Sequence, residues 1–180
     1  YFIEKASTIS NILFTGDGGD ELFGGYTFRY RKFIENLPLD HSWTDRVRVY
    51  LTCHERDWVP DQESVFGPNM KFEWASIYRI LRTHFDNDLE PLEQVLLADY
   101  HGKLMYDFVP TNQKYFTHFG INGVAPLLSN KVITFSEKIP VGLKYDYVTN
   151  VGKIQLRQIL RRNASSEISN LIEDKKMGFS

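Results

Sequence analysis

The stretch Gly16-Asp17-Gly18-Gly19-Asp20, set between an apolar run and a helical pattern, constrains the fold more than any other part of this sequence. Residues 11–15 (Asn-Ile-Leu-Phe-Thr) are apolar enough for a buried strand and stop at Gly16. The turn that follows needs glycine's access to positive φ, and Glu21-Leu22-Phe23-Gly24-Gly25-Tyr26 then opens a helix predicted to run toward Asn36. A glycine turn between a strand and a helix is where open α/β sheets bind ligands, because backbone N–H groups and the helix dipole point there. Such a place favours anions, yet this one carries Asp17 and Asp20. Their carboxylates would repel a phosphate unless a divalent cation sat between, and Mg²⁺ favours one or two carboxylates plus phosphate oxygens. The same residues also read as a helix cap at Asp20, a turn residue at Asp17 and close packing at Gly24 and Gly25. The residues by themselves leave both readings open.

The rest of the chain is mostly helical in pattern. Periodicity predicts the end of a helix before residue 10 and helices over 43–57, 72–85, 91–107, 112–119, 129–139, 152–162 and 165–172, with Pro140 closing one of them. There is no fixed-period repeat and no linker separating two domains. The expectation is one unit over residues 1–180 with a single clear buried strand, whose partner strands lie partly outside these residues. With 180 residues and 42% hydrophobic content the chain can bury a sizeable core, which argues against disorder. Lys and Arg number 21 against 23 acidic residues, so no bulk basic field exists for nucleic acid or an anionic membrane. The longest uncharged stretch, 115–130, is too short and too broken by Gly and Pro to span a bilayer.

Single side chains add little. One cysteine, Cys53, excludes an internal disulfide framework and suits a reducing, cytoplasmic setting; beside His54 it reads as a buried or idle thiol. Five histidines show no metal-ligand spacing. The cluster Tyr26, Phe28, Arg29, Tyr30, Arg31, Lys32 and Phe33 divides at helical spacing into a core face and a solvated face. No secretory leader pattern is visible, and a chain that begins at Tyr1 reads as a piece of something longer.

The run Leu13-Phe14-Thr15-Gly16-Asp17-Gly18-Gly19-Asp20-Glu21-Leu22-Phe23-Gly24-Gly25-Tyr26 resembles the signature of the asparagine synthetase family, long and without gaps. Further segments agree in order. Gly120-Ile121 with Pro126-Leu127-Leu128 is similar to the family's Gly-hydrophobic-Glu-x-Arg-x-Pro-Phe-Leu. Pro140 to Lys144, Lys153-Ile154-Gln155-Leu156-Arg157 and Lys175-Lys176-Met177-Gly178-Phe179 resemble its later elements.

The resemblance implies an adenine nucleotide alpha hydrolase-like (ATP pyrophosphatase) α/β fold and an amidotransferase-type ligase. A substrate carboxylate would attack the α-phosphorus of ATP, and ammonia, free or from glutamine, would then attack the acyl-adenylate. It implies ATP and Mg²⁺, with Gly16, Gly18, Gly19 and Asp20 at the nucleotide and Asp20 on the Mg²⁺-pyrophosphate. Asp17 falls on the acidic position beside the acyl-adenylate, able to orient or deprotonate the incoming amine. Lys176 falls on the lysine that stabilises charge on the reacting phosphate and carbonyl. Partners would be small molecules, with an oligomer left open.

The departures are equally specific. Asn122 and Val124 stand where the family has Glu and Arg, and Ser129 stands where an Asp follows. The family's Ser-Gly-Gly-x-Asp-Ser nucleotide loop and its amino-terminal glutaminase cysteine are absent from the 180 residues, so activity is expected only within a longer protein. These differences leave two alternatives standing: a noncatalytic scaffold or binding module of the same descent, and a divergent synthetase acting on another carboxylate.

Overall fold

The computed structural model describes residues 1–54 and 65–165. In chain order these form α1 (Phe2–Ser7), β1 (Ile12–Phe14), α2 (Gly19–Phe23), α3 (Thr27–Asn36) and α4 (Trp43–Thr52). There follow α5 (Trp74–Phe85), α6 (Pro91–Ala98), a π-helical stretch (Asp99–Phe108) and α7 (Val109–Phe119). The chain continues through β2 (Asn122–Val124), a 3₁₀ turn (Pro126–Leu128), α8 (Asn130–Glu137) and α9 (Val141–Lys144). A short antiparallel pair, β3 (Tyr145–Asp146) and β4 (Val151–Gly152), leads into α10 (Ile154–Asn163). The described residues are thus mostly helical with few strands, and none of their helices is long and apolar enough to cross a membrane.

The strand at 12–14 is present, and β1 runs parallel to β2 with Ile12 opposite Asn122 and Phe14 opposite Val124. The pairing is closed at both ends by Asn122 N–H donating to the Asn11 carbonyl and Thr15 N–H to that of Val124. One partner strand of β1 therefore lies within this chain. The expectation of burial fails here: Ile12 is 47% and Phe14 70% exposed, because among the described residues β1 is paired with β2 alone and its apolar side chains have little packed over them.

The core lies elsewhere, between α3, α4, α5 and α6. Tyr30, Phe33, Val47, Phe85 and Val95 are fully buried there, with Tyr26, Tyr50, Cys53 and Tyr145 around them. α4 starts on a capping box in which Ser42 and Asp45 satisfy each other's backbone N–H groups.

Two helix boundaries differ from the periodicity. The predicted helix from Glu21 to Asn36 is broken at Gly24, which takes φ +75°, so α2 is a single turn and α3 a separate helix. Conversely, the expected break near Pro110 is bridged. A proline ring clashes with the carbonyl four residues back in an α-helix; here the preceding stretch widens to π geometry, Val109 N–H reaches the Leu104 carbonyl, and the helix runs on into α7. The predicted segment 165–172 lies almost wholly outside the described residues, as does the end of 43–57.

Candidate functional site

The signature turn is held from three sides by segments distant in sequence. Gly18 takes φ +86°, which an L-residue rarely adopts, and a Cβ there would also overlap the Leu128 side chain. Leu127 lies in ordinary contact range of the place a Cβ would take on Gly19. The 3₁₀ turn after β2 is therefore the floor of the glycine loop, which gives the Pro126-Leu127-Leu128 element a physical task. Gly19 N–H donates to the Gly16 carbonyl at 3.1 Å, so this amide already serves the turn.

The two aspartates receive unlike partners. Asp17 Oδ2 accepts from the Thr15 hydroxyl at 2.9 Å and from Asn112 Nδ2 at 3.0 Å, both neutral donors. Asp20 Oδ1 lies 3.1 Å from Lys153 Nζ in a partly exposed ion pair. Lys153 is itself unusual. It sits at the N-terminus of α10 with φ 55° and ψ 36°, a conformation that costs a non-glycine residue about 1 kcal/mol. Its backbone N–H donates to the Phe23 carbonyl at 2.9 Å, and its side chain crosses to Asp20 above Gly25. A Cβ on Gly25 would overlap the Asp20 carboxylate and the Lys153 stem, so glycine is needed at 25 for lack of space, whereas at 18 it is needed for its dihedral as well.

Behind the turn the polar groups are buried. The Tyr26 hydroxyl donates to Glu21 Oε1 at 2.5 Å, and burial raises the Glu21 carboxyl above its ordinary range, partly opposed by that hydrogen bond. Arg29 is buried as well and so belongs to the core face of its helix: Nη2 lies 2.5 Å from Asp99 Oδ1, and its guanidinium stacks over the Tyr26 ring at 4.7 Å. The Tyr50 hydroxyl donates to the same Asp99 oxygen at 2.9 Å. Cys53 is buried against this pair and donates to the Tyr50 carbonyl; burial pushes its thiol up to about 11, as expected of an idle thiol.

Of the residues expected at the site, the structure brings Gly16, Asp17, Gly18, Gly19 and Asp20 together on one turn, while Lys176 lies outside the described residues. Asn122 and Val124, the departures from the family pattern, are alternate positions of β2, opposite Ile12 and Phe14 of β1. Sequence reasoning gave no role to Asn112 or Lys153. Lys153 carried a signal, its place in the Lys-x-x-Leu-Arg element, whereas Asn112 carried none. Among the described residues no three His, Cys, Asp or Glu side chains gather to form a self-sufficient metal site. Two cavities, about 240 Å³ beside Trp74 and Tyr78 and about 470 Å³ beside His54 and Lys103, are lined by none of Asp17, Asp20 or Lys153.

Comparison with protein families matches the chain to asparagine synthase over residues 1–180. Comparisons with curated proteins and with solved structures gave no match.

Proposed function

The chain belongs to the asparagine synthase family, and from that premise we propose that it forms part of an ATP-dependent ligase that makes an amide through an acyl-adenylate. In this reading the helices and the β1–β2 pair are part of a nucleotide alpha hydrolase-like domain, and the glycine turn faces the triphosphate. The carboxylate of the acceptor, proposed as aspartate, attacks the α-phosphorus; the bond to pyrophosphate breaks. The nitrogen of ammonia, free or from glutamine, then attacks the acyl carbon, the bond to AMP breaks, and the nitrogen loses a proton. The observation that carries the reading is the pairing of the two turn acids with different partners: a cation for Asp20, neutral donors for Asp17.

Asp20 has what a Mg²⁺-pyrophosphate ligand requires. Its carboxylate is partly exposed, is directed to a cation already, and is backed by Tyr30, whose hydroxyl donates to the Asp20 carbonyl at 3.3 Å. A single carboxylate suffices when phosphate oxygens complete the shell. Mg²⁺ bound there would neutralise charge on the leaving pyrophosphate. Lys153 supplies a second positive charge at the same oxygen, and Lys176 is proposed as the lysine at the reacting phosphate and carbonyl. Asp17 takes the nitrogen's proton or aligns the nitrogen for attack. A cytoplasmic setting is proposed with this chemistry.

Exchange of labelled pyrophosphate into ATP, measured on the intact protein with Mg²⁺ and a panel of carboxylates, tests the reading. The panel is necessary because Asn122 and Val124 replace both charged residues that the family pattern has at these positions. Exchange should depend on one carboxylate and fall about a hundredfold or more in Asp20→Ala and Lys176→Ala, the scale of losing one preorganised charge. Full exchange in both variants, or none with any carboxylate in the unaltered protein, would overturn it.

A further inference from the structure

We infer that Asn112 is the positioning residue that holds the Asp17 carboxylate for the nitrogen-transfer step, an inference that rests on the function proposed above. Asn112 lies 95 positions from Asp17 in sequence and reaches it from α7 with Nδ2 at 3.0 Å from Oδ2. The orientation of the amide follows from chemistry: an ionised carboxylate only accepts, so the atom facing it must be the NH₂. Thr15 donates to the same oxygen at 2.9 Å. Oδ2 is thereby engaged twice, while Oδ1 makes no hydrogen bond with any described residue. One oxygen fixes the carboxylate; the other is left to accept from an N–H of the attacking nitrogen.

The backbone carries the same message. Asn112 follows Pro110 by two residues on the helix that passes through the π stretch Asp99–Phe108. Each π turn takes one residue more than an α turn, so this stretch changes which face of α7 points to the glycine loop. The start of the stretch is anchored by Asp99 to Arg29, in the helix that follows the signature. α7 also contacts β2 and α1, the elements flanking β1, which sets the height of Asn112 beside the turn. A donor amide is suited to this place. It fixes one carboxylate oxygen of Asp17 without adding a cation that would compete with the incoming nitrogen for the other.

The test separates this inference from the function it rests on. In Asn112→Ala the rate of amide formation, taken relative to the variant's own pyrophosphate exchange rate, should fall roughly tenfold to a hundredfold, the value of one hydrogen bond to a charged group. The fall should appear in kcat, with the KM for ATP little changed. Asn112→Asp should retain the size of the side chain but move the acid limb of the amide-forming pH profile to higher pH, since two carboxylates cannot both ionise cheaply at this distance. An unchanged ratio in Asn112→Ala, or an unmoved acid limb in Asn112→Asp, overturns the inference. A second readout needs no turnover. The side-chain amide protons of Asn112, followed by NMR across the acid range, should shift as Asp17 titrates and stop doing so in Asp17→Asn. If they are insensitive to that substitution, Asn112 does not hold Asp17, whether or not the protein makes an amide.

Discussion

Replacing Asp99 by Asn should destabilise the protein severely although it changes one atom of a side chain outside the glycine turn itself. Arg29 and Asp99 expose 2% and 0% of their side chains and meet at 2.5 Å, so neither charge has water to fall back on. Removing one charge leaves Arg29 buried and uncompensated, with Nε and Nη1 already lacking a hydrogen-bond partner. Breaking a buried pair in this way costs about 3–5 kcal/mol. At about 2–4 °C per kcal/mol for a domain of this size, the melting temperature should fall by about 6–20 °C. The double variant Arg29→Met with Asp99→Leu removes both charges and should recover much of the loss. It should stay below the unaltered protein by roughly 1–3 kcal/mol, because the Tyr50 hydroxyl is left without its acceptor. Differential scanning calorimetry of the three proteins reads these values. A single variant within about 1 kcal/mol of the unaltered protein, or a double variant no better than the single, would refute the claim that an uncompensated buried charge sets the cost.

Two further outcomes follow from the turn. Gly25→Ala places a methyl group where the Asp20 carboxylate and the Lys153 stem now lie, so pyrophosphate exchange should drop by about a hundredfold, the scale expected for a displacement near 1 Å; exchange at the level of the unaltered protein would show that neither side chain needs its present place. Glu21 is raised above its ordinary value by burial. The folded state then holds the Glu21 proton more tightly than the unfolded state. Its contribution to stability is therefore complete below the unfolded value and is lost as pH rises through the higher folded one. Glu21→Gln, which retains an acceptor for the Tyr26 hydroxyl, should abolish that part of the decline. Denaturation midpoints taken from pH 4 upward should diverge in favour of the variant as pH rises, and parallel curves would refute the assignment.

What could be read from the residues was what local chemistry determines. The strand, glycine turn and following helix were legible because positive φ at Gly18 and the apolar run before Gly16 leave few alternatives. β2 was not legible, since Asn-Gly-Val has neither length nor period and acquires a strand's conformation only by pairing with β1 far back along the chain. The burial of Arg29 was not legible, because a helix that mixes aromatic and basic residues does not say which of its cations turns inward. Burial became tolerable only through a carboxylate 70 residues away. Pro110 marks a helix end by its local rule, and the widening of the preceding ten residues overrode it. Each failure has the same origin: a partner distant in sequence changes the cost of a local choice.

The same principle explains why the site could be only half read. Asp17 and Asp20 are two acids three positions apart, and nothing local distinguishes their tasks. The fold does so by what it delivers to each. β4 and the strained start of α10 bring an ammonium to Asp20, which suits that carboxylate to the charge-neutralising role proposed for it. The re-phased α7 brings an amide to Asp17, which fixes one oxygen without neutralising the group and leaves the other without a hydrogen bond to any described residue. The opposite tasks proposed for the two acids need environments that differ, and side-chain identity cannot supply the difference when both are aspartate. Exchanging the partners is therefore a sharper perturbation than removing them. Asn112→Lys would put beside Asp17 the kind of charge that Lys153 puts beside Asp20, and should lower the rate of amide formation, measured relative to pyrophosphate exchange, more than Asn112→Ala does, because the ammonium would occupy the acceptor that the attacking nitrogen requires.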